Sequence, residues 1–241
     1  MKLTSIFEKI SPISIAFCSA FFMLIMVIIF LMALLYAGYL SLIITLSKEQ
    51  IAEYFIFNLD NPNIISAFLS NYSHKDGNHL CGNAKMTIVY ALGIILVYLA
   101  REWMKIPVRK PYLFVFLGCS LLILPFFVSG VSYIFRAFLN GSCGGFSGIT
   151  YAFIGALFAL LIPLSAKFMS DFLKRNVVSF SSSLDFCGII IAIFALFYCV
   201  IIVINDMQNP GTNYFAHITG FIFGFVITYL YDTYRIRKEM N

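Results

Sequence analysis

Charge is scarce in this chain: 11% of its 241 residues are Asp, Glu, Lys or Arg, against about 25% in ordinary soluble domains. With 61% hydrophobic residues and a mean hydropathy of +0.92, that scarcity excludes a soluble globule. Intrinsic disorder is excluded as well, because it requires low hydrophobicity and high charge. The net charge of +5 is spread over short segments, so no nucleic-acid partner is expected. Paired cysteines are missing too: the six stand at 18, 81, 119, 143, 187 and 199 with no CxxC, most of them inside apolar runs where a thiol acts as a small hydrophobe. Only Cys81 and Cys143 fall near segment ends, and spacing alone does not derive a bridge between them. His79, Cys81 and Cys143 fit no usual zinc spacing, so no metal and no cofactor is expected.

What the chain does have is long apolar runs. No charged residue lies between Lys9 and Lys48, roughly 55 Å of helix against a hydrocarbon core of about 30 Å. Span one must tilt or end early, and without a small-residue cleavage site after a short apolar core it reads as a retained helix. Five further spans are expected at Leu80 to Leu99, Pro111 to Ser129, Gly148 to Ala166, Phe186 to Ile204 and Tyr214 to Leu230. On one side of alternate segments stand Lys2, Lys9, Arg101, Lys105, Arg109, Lys110, Lys167, Lys174, Arg175, Arg235, Arg237 and Lys238; on the other stand only Lys48, Lys75 and Arg136. The positive-inside rule then places both termini in the cytoplasm, in agreement with an even number of spans. The expected architecture is an all-α six-transmembrane-helix bundle. It comprises a cytoplasmic N-terminal segment (1–12), a membrane-embedded domain (13–232) and a basic cytoplasmic tail (233–241). The one long connection, Ser47 to Asn78, carries the apolar stretches IAEYFIFNL and IISAFL, which read as surface-lying elements. Ser181 to Asp185 offers capping oxygens for the fifth helix.

Polar side chains inside spans are costly and point to function. They gather at one end of three helices: His79 and Asn83 on span two, Ser147 at the start of span four, and His217 early in span six. At helical rise, Asn83 lies roughly 27 Å from Arg101, Ser147 roughly 30 Å from Lys167 and His217 roughly 27 Å from Arg235, so all three share one depth. His79 and Asn83, at i and i+4, share one face. Gly148, Ala152 and Gly155 form a small-residue stripe on span four, and Gly220 and Gly224 form another on span six, a pattern that lets membrane helices approach closely. Ser147 follows Gly144, Gly145 and Phe146 and opens its helix, where unladdered N–H groups and the positive dipole end favour a developing oxyanion. Singly, each group has a plainer reading: a serine bonded to its own helix backbone, a packing histidine, a pair of capping groups. Their common depth favours a nucleophile with its base.

At these residues the sequence resembles the rhomboid family of intramembrane serine proteases. The matches are Gly145-Phe146-Ser147-Gly148 to the family's GxSG, Ala216-His217 with Gly220 and Gly224 to its AHxxGxxxG, and His79 with Asn83 to its HxxxN; His74 fits the longer S-H-x4-H-x3-N form. The resemblance runs from the second span to the last in the family's order. It implies that Ser147 is the nucleophile and His217 the general base and then acid, with the Ser147 N–H and the His79 and Asn83 side chains holding the oxyanion. Tyr151 would pack against the catalytic imidazole and orient it in place of an acid, and Gly145, Gly148, Gly220 and Gly224 would serve the helix contact. The absence of Asp and Glu from spans four and six fits a dyad. Many members carry a Trp-Arg pair in the first outer loop, whereas the single tryptophan here, Trp103, falls in an inner loop.

The expected activity is therefore cleavage of single-pass or polytopic membrane-protein substrates near the outer end of their transmembrane helices, within the lipid bilayer and most naturally in the plasma membrane. Asp206 to Asn213, ahead of span six, would form a lid. Two other classes stay open: a catalytically silent rhomboid-like protein that binds membrane clients, and a transporter or channel binding an anion at the start of span four. A closer rival uses Lys85 as the base, although its position two residues past Asn83 favours snorkelling to the headgroups. For His74 the plainer reading is a loop histidine bonded to nearby backbone.

Overall fold

The computed structural model describes residues 11–45, 47–74, 76–106, 112–139, 142–173 and 213–240, together with Ile190, Ile193, Phe197, Ile201 and Ile204. Helix α1 spans Pro12–Thr45. Its proline stands at the first helical position, where no N–H is needed, and the Ser11 hydroxyl accepts from the Ser14 N–H. Two short helices follow, α2 at Lys48–Phe55 under a Ser47–Gln50 capping box and α3 at Ile64–Leu69 capped by Asn63. Helix α4 covers Gly77–Trp103 and is opened by the Asp76 carboxylate, which accepts from the His79 N–H at 2.7 Å. Next come α5 (Tyr112–Leu122), α6 (Leu124–Ile134), α7 (Ser147–Leu173) and α8 (Tyr214–Met240). Strands β1 (Phe57–Asn58) and β2 (Ser142–Cys143) pair antiparallel, Phe57 opposite Cys143, and tie the first outer loop to the chain entering α7.

Among the described residues four helices are long and apolar enough to cross a membrane: Pro12–Leu34, Gly77–Trp103, Ser147–Asp171 and Tyr214–Tyr231. The α5–α6 pair, bent by 43°, makes a fifth if it is one span. Of the expected fifth span, Phe186 to Ile204, only five residues are described; they are helical, exposed and spaced along one face. The remainder, the Ser181 to Asp185 cap and the lid up to residue 212 lie outside the described residues. Helix α7 is the axis of the bundle: 67% of its span is buried inside the protein, against 22% to 33% for the other three.

The third span departs from the single helix expected over Pro111 to Ser129. Pro125, near the start of α6, has no N–H to give the carbonyl four residues back, so the ladder breaks around Ile123. That carbonyl, of Leu121, accepts instead from the Tyr72 hydroxyl of the first outer loop. Asn71 beside it donates to the carbonyls of Ala67 and Pro125 and to the Ser129 hydroxyl, which in turn donates to Ala67. The loop between α1 and α4 is thus plugged into the bend by hydrogen bonds, with Trp103 at the opposite end of α4.

Helices α7 and α8 meet backbone to backbone. A Cβ at Gly220 would lie 1.9 Å from the Gly148 carbonyl oxygen, one at Gly224 1.9 Å from that of Ala152, and one at Gly155 2.0 Å from that of Phe221. At all three points a glycine Cα–H faces a carbonyl, the recurrent geometry of weak Cα–H···O bonds between closely packed helices. Gly220→Ala should therefore force the helices apart and cost about 2 kcal/mol or more, whereas Gly82→Ala, with nothing within 4 Å, should be close to neutral. Thermal unfolding of the two variants in detergent checks this; equal melting temperatures would contradict the contact.

Candidate active site

The site forms where α4, α7 and α8 reach the outer loops. Ser147 is the first residue of α7, so its N–H lies outside the helical ladder. The preceding chain is held from both sides. The Gly145 N–H donates to the Ser70 carbonyl at 2.8 Å, and Phe146, fully buried, leans on the Tyr72 ring. Gly145 has φ +119°, and a Cβ there would lie 2.6 Å from the His79 ring. Glycine is needed at 145 for that backbone twist and for the imidazole above it, not for helix contact as expected; the contact falls to Gly148, Gly155, Gly220 and Gly224.

His217 lies on the first turn of α8, whose start is fixed by Asn213: its Oδ1 accepts from the Ala216 N–H and its Nδ2 donates to the Ser132 hydroxyl of α6. Phe215 stacks on Phe135 at 4.5 Å. Tyr151, one turn past Ser147, stacks on the buried His217 imidazole with centroids 4.2 Å apart and planes 6° apart. A Cβ at Gly148 would approach the Ala216 carbonyl to 3.3 Å. Gly148, next to Ser147, thus meets Ala216 and Gly220 on either side of His217 in sequence, and Tyr151 meets the imidazole itself. Neither α7 up to Ser170 nor α8 up to Tyr231 carries a carboxylate, and the Tyr151 ring lies parallel to the imidazole.

On α4, His79 stands over Gly145 and Asn83 is buried one turn deeper. Neither side chain caps the helix, since Asp76 holds that position. Asn83 Nδ2 lies 3.2 Å from Nε2 of His74, and the His74 and His79 rings meet edge to face at 5.2 Å. Below them Thr87 bonds the Asn83 carbonyl at 2.8 Å and the Thr150 hydroxyl of α7 at 2.9 Å, fixing the register of the two helices. His74 is only 3% exposed: it bonds the nearby Tyr72 backbone, as the plainer reading of a loop histidine expects, and it also meets the Asn83 side chain. The signal was its spacing from His79 and Asn83. Nothing in the sequence marked the Thr87–Thr150 pair, sixty-three residues apart. Lys85 is exposed on the outer surface of α4 and Cys81 is an exposed free thiol.

A sequence model described as "Rhomboid domain" matches residues 61–233. Comparison with curated proteins and with solved structures gives no match. The matched segment takes in α3 to α7 and most of α8, and the chain belongs to the rhomboid family; with its apolar helices it is an integral membrane protein.

Burial holds the His74 imidazole below its ordinary 6.5, at about 4; His79 adds to the shift, while the Tyr72 backbone and Asp76 oppose it. Between those two values the unfolded chain binds the proton and the folded one does not. Stability is therefore full above about pH 6.5 and is lost as pH falls towards 4, by on the order of 3 kcal/mol. Melting temperatures in detergent at pH 7 and pH 4.5 should fall further for the native protein than for His74→Gln; parallel falls would count against this.

Proposed function

We propose that this rhomboid-family chain is an intramembrane serine endopeptidase that uses Ser147 and His217 as a dyad. The observation that carries the reading is the flat Tyr151–His217 stack at the backbone contact that begins beside Ser147. In the proposed reaction the Ser147 Oγ attacks the substrate carbonyl while His217 takes its proton. The oxyanion is held by the Ser147 N–H at the positive end of α7 and by the side chains of His79 and Asn83. His217 then gives its proton to the leaving amine, and water, activated by the same imidazole, releases the acyl group from Ser147.

The substrates we infer are transmembrane helices of other membrane proteins, cut near the outer face, where polar groups can line a wet cavity at membrane depth. A helical peptide bond is shielded by its own turn, so the substrate must unwind locally. Six spans with both termini in the cytoplasm belong to the same proposal, supported by the distribution of Lys and Arg; residence in the plasma membrane is proposed with them. A silent client-binding relative needs neither hydroxyl nor imidazole, yet the sequence keeps both Ser147 and His217. Lys85 does not serve as the base, because its side chain is exposed away from the core.

In a cleavage assay on a detergent-purified reporter, Ser147→Ala and His217→Ala should each lower kcat by at least about 10³-fold. Lys85→Ala should stay within about twofold of the native rate. A fluorophosphonate should label the native protein and not Ser147→Ala. Full activity of His217→Ala would overturn the dyad, and unaltered cleavage by Ser147→Ala would overturn the protease reading.

A further inference from the structure

Asn83 carries the least constrained donor of the site described above. An amide on a helix can present either its NH2 group or its oxygen to a neighbour, and a half-turn about its last bond exchanges them. Facing an oxyanion the two are opposites: one face stabilises the developing charge, the other repels it. Something must choose between them.

We propose that His74 makes that choice, as a positioning residue that keeps the Asn83 amide turned with an N–H towards the substrate oxygen; the inference rests on the serine-protease reading. Asn83 Nδ2 can only donate, so at 3.2 Å the His74 Nε2 must accept. An imidazole accepts at Nε2 only when it is neutral and carries its proton on Nδ1. Burial keeps the ring neutral, with His74 at 3% exposure and its pKa held at about 4. The edge-to-face His79 ring at 5.2 Å limits rotation of the imidazole. A flipped amide would set its Oδ1 against the Nε2 lone pair, with no hydrogen between them. One Nδ2–H is thereby committed to His74 and the second is left for the substrate, while Thr87 holds the Asn83 carbonyl and the Thr150 hydroxyl of the nucleophile's helix.

The test uses full-length protein in detergent, with reporter cleavage and the rate of fluorophosphonate labelling as readouts. His74→Leu should lower kcat and labelling about 10- to 100-fold, approaching the loss of one oxyanion donor, with KM within about twofold. His74→Gln, whose carbonyl oxygen can accept in place of Nε2, should recover most of the loss. In an Asn83→Ala background His74→Leu should cost nothing more, because the group it acts through is gone. Unchanged kcat in His74→Leu, equal losses in the Leu and Gln variants, or losses that multiply in the double variant would each overturn the proposal. Independently of any variant, 15N-histidine NMR of the native protein at pH 7 should show the His74 proton on Nδ1, and a proton on Nε2 would overturn it; with three histidines in the chain, assignment is simple. Loss of labelling in Ser147→Ala beside an unaffected His74→Leu removes only the role of His74, whereas labelling that survives Ser147→Ala removes the protease reading itself.

Discussion

The contact between α7 and α8 is the constraint from which the rest of the site takes its dimensions. In lipid no hydrophobic force draws two helices together, because the surrounding tails are as apolar as the side chains. Close packing and weak Cα–H···O contacts supply the attraction, and both require that nothing protrude between the backbones. Gly148, Gly155, Gly220 and Gly224 meet that requirement over two turns of each helix. With the separation set by backbone atoms, Tyr151 beside the seam on one helix meets His217 on the other. A methyl group at Gly155, Gly220 or Gly224 would force the two helices apart.

A second constraint reaches the site from outside the bundle. The first outer loop enters the break in the third span, where Tyr72 and Asn71 take up backbone carbonyls around Pro125. Ser70, from the same turn, holds the Gly145 N–H, and His74, two residues past Tyr72, holds Asn83. Burial keeps the Tyr72 phenol protonated well above its ordinary range. One short stretch of loop therefore reaches the α5–α6 bend, the turn before Ser147 and the Asn83 side chain. Strand pairing between Phe57 and Cys143 adds a second tie between that loop and α7.

Much of this was legible because membrane physics writes long signals. Uninterrupted apolar runs announced the spans near Leu80, Gly148 and Tyr214, and the glycine spacing announced which two helices touch. The polar groups at one depth pointed to the candidate site. The bend at Ile123 was not legible, since a proline in an apolar run is compatible with a continuous helix until a neighbour supplies replacement donors, and those come from Asn71 and Tyr72, fifty residues away. The role of Gly145 was misassigned for a related reason: a GxSG shows that a glycine is required but not whether the requirement is a helix seam or a φ of +119° beneath an imidazole. The Thr87–Thr150 tie left no trace, because two threonines on separate helices are ordinary residues until their register is known.

The Tyr151–His217 stack has a consequence for how charge is housed at this depth. A base supported by a carboxylate must keep a buried anion throughout the resting state, which is costly where water is sparse. The phenol face holds no formal charge while the imidazole is neutral. In the proposed reaction its π-electron density would become attractive when the ring turns cationic, so this support would appear during turnover and vanish afterwards. On that proposal the pair stores nothing between cycles: orientation is permanent, and electrostatic help is transient.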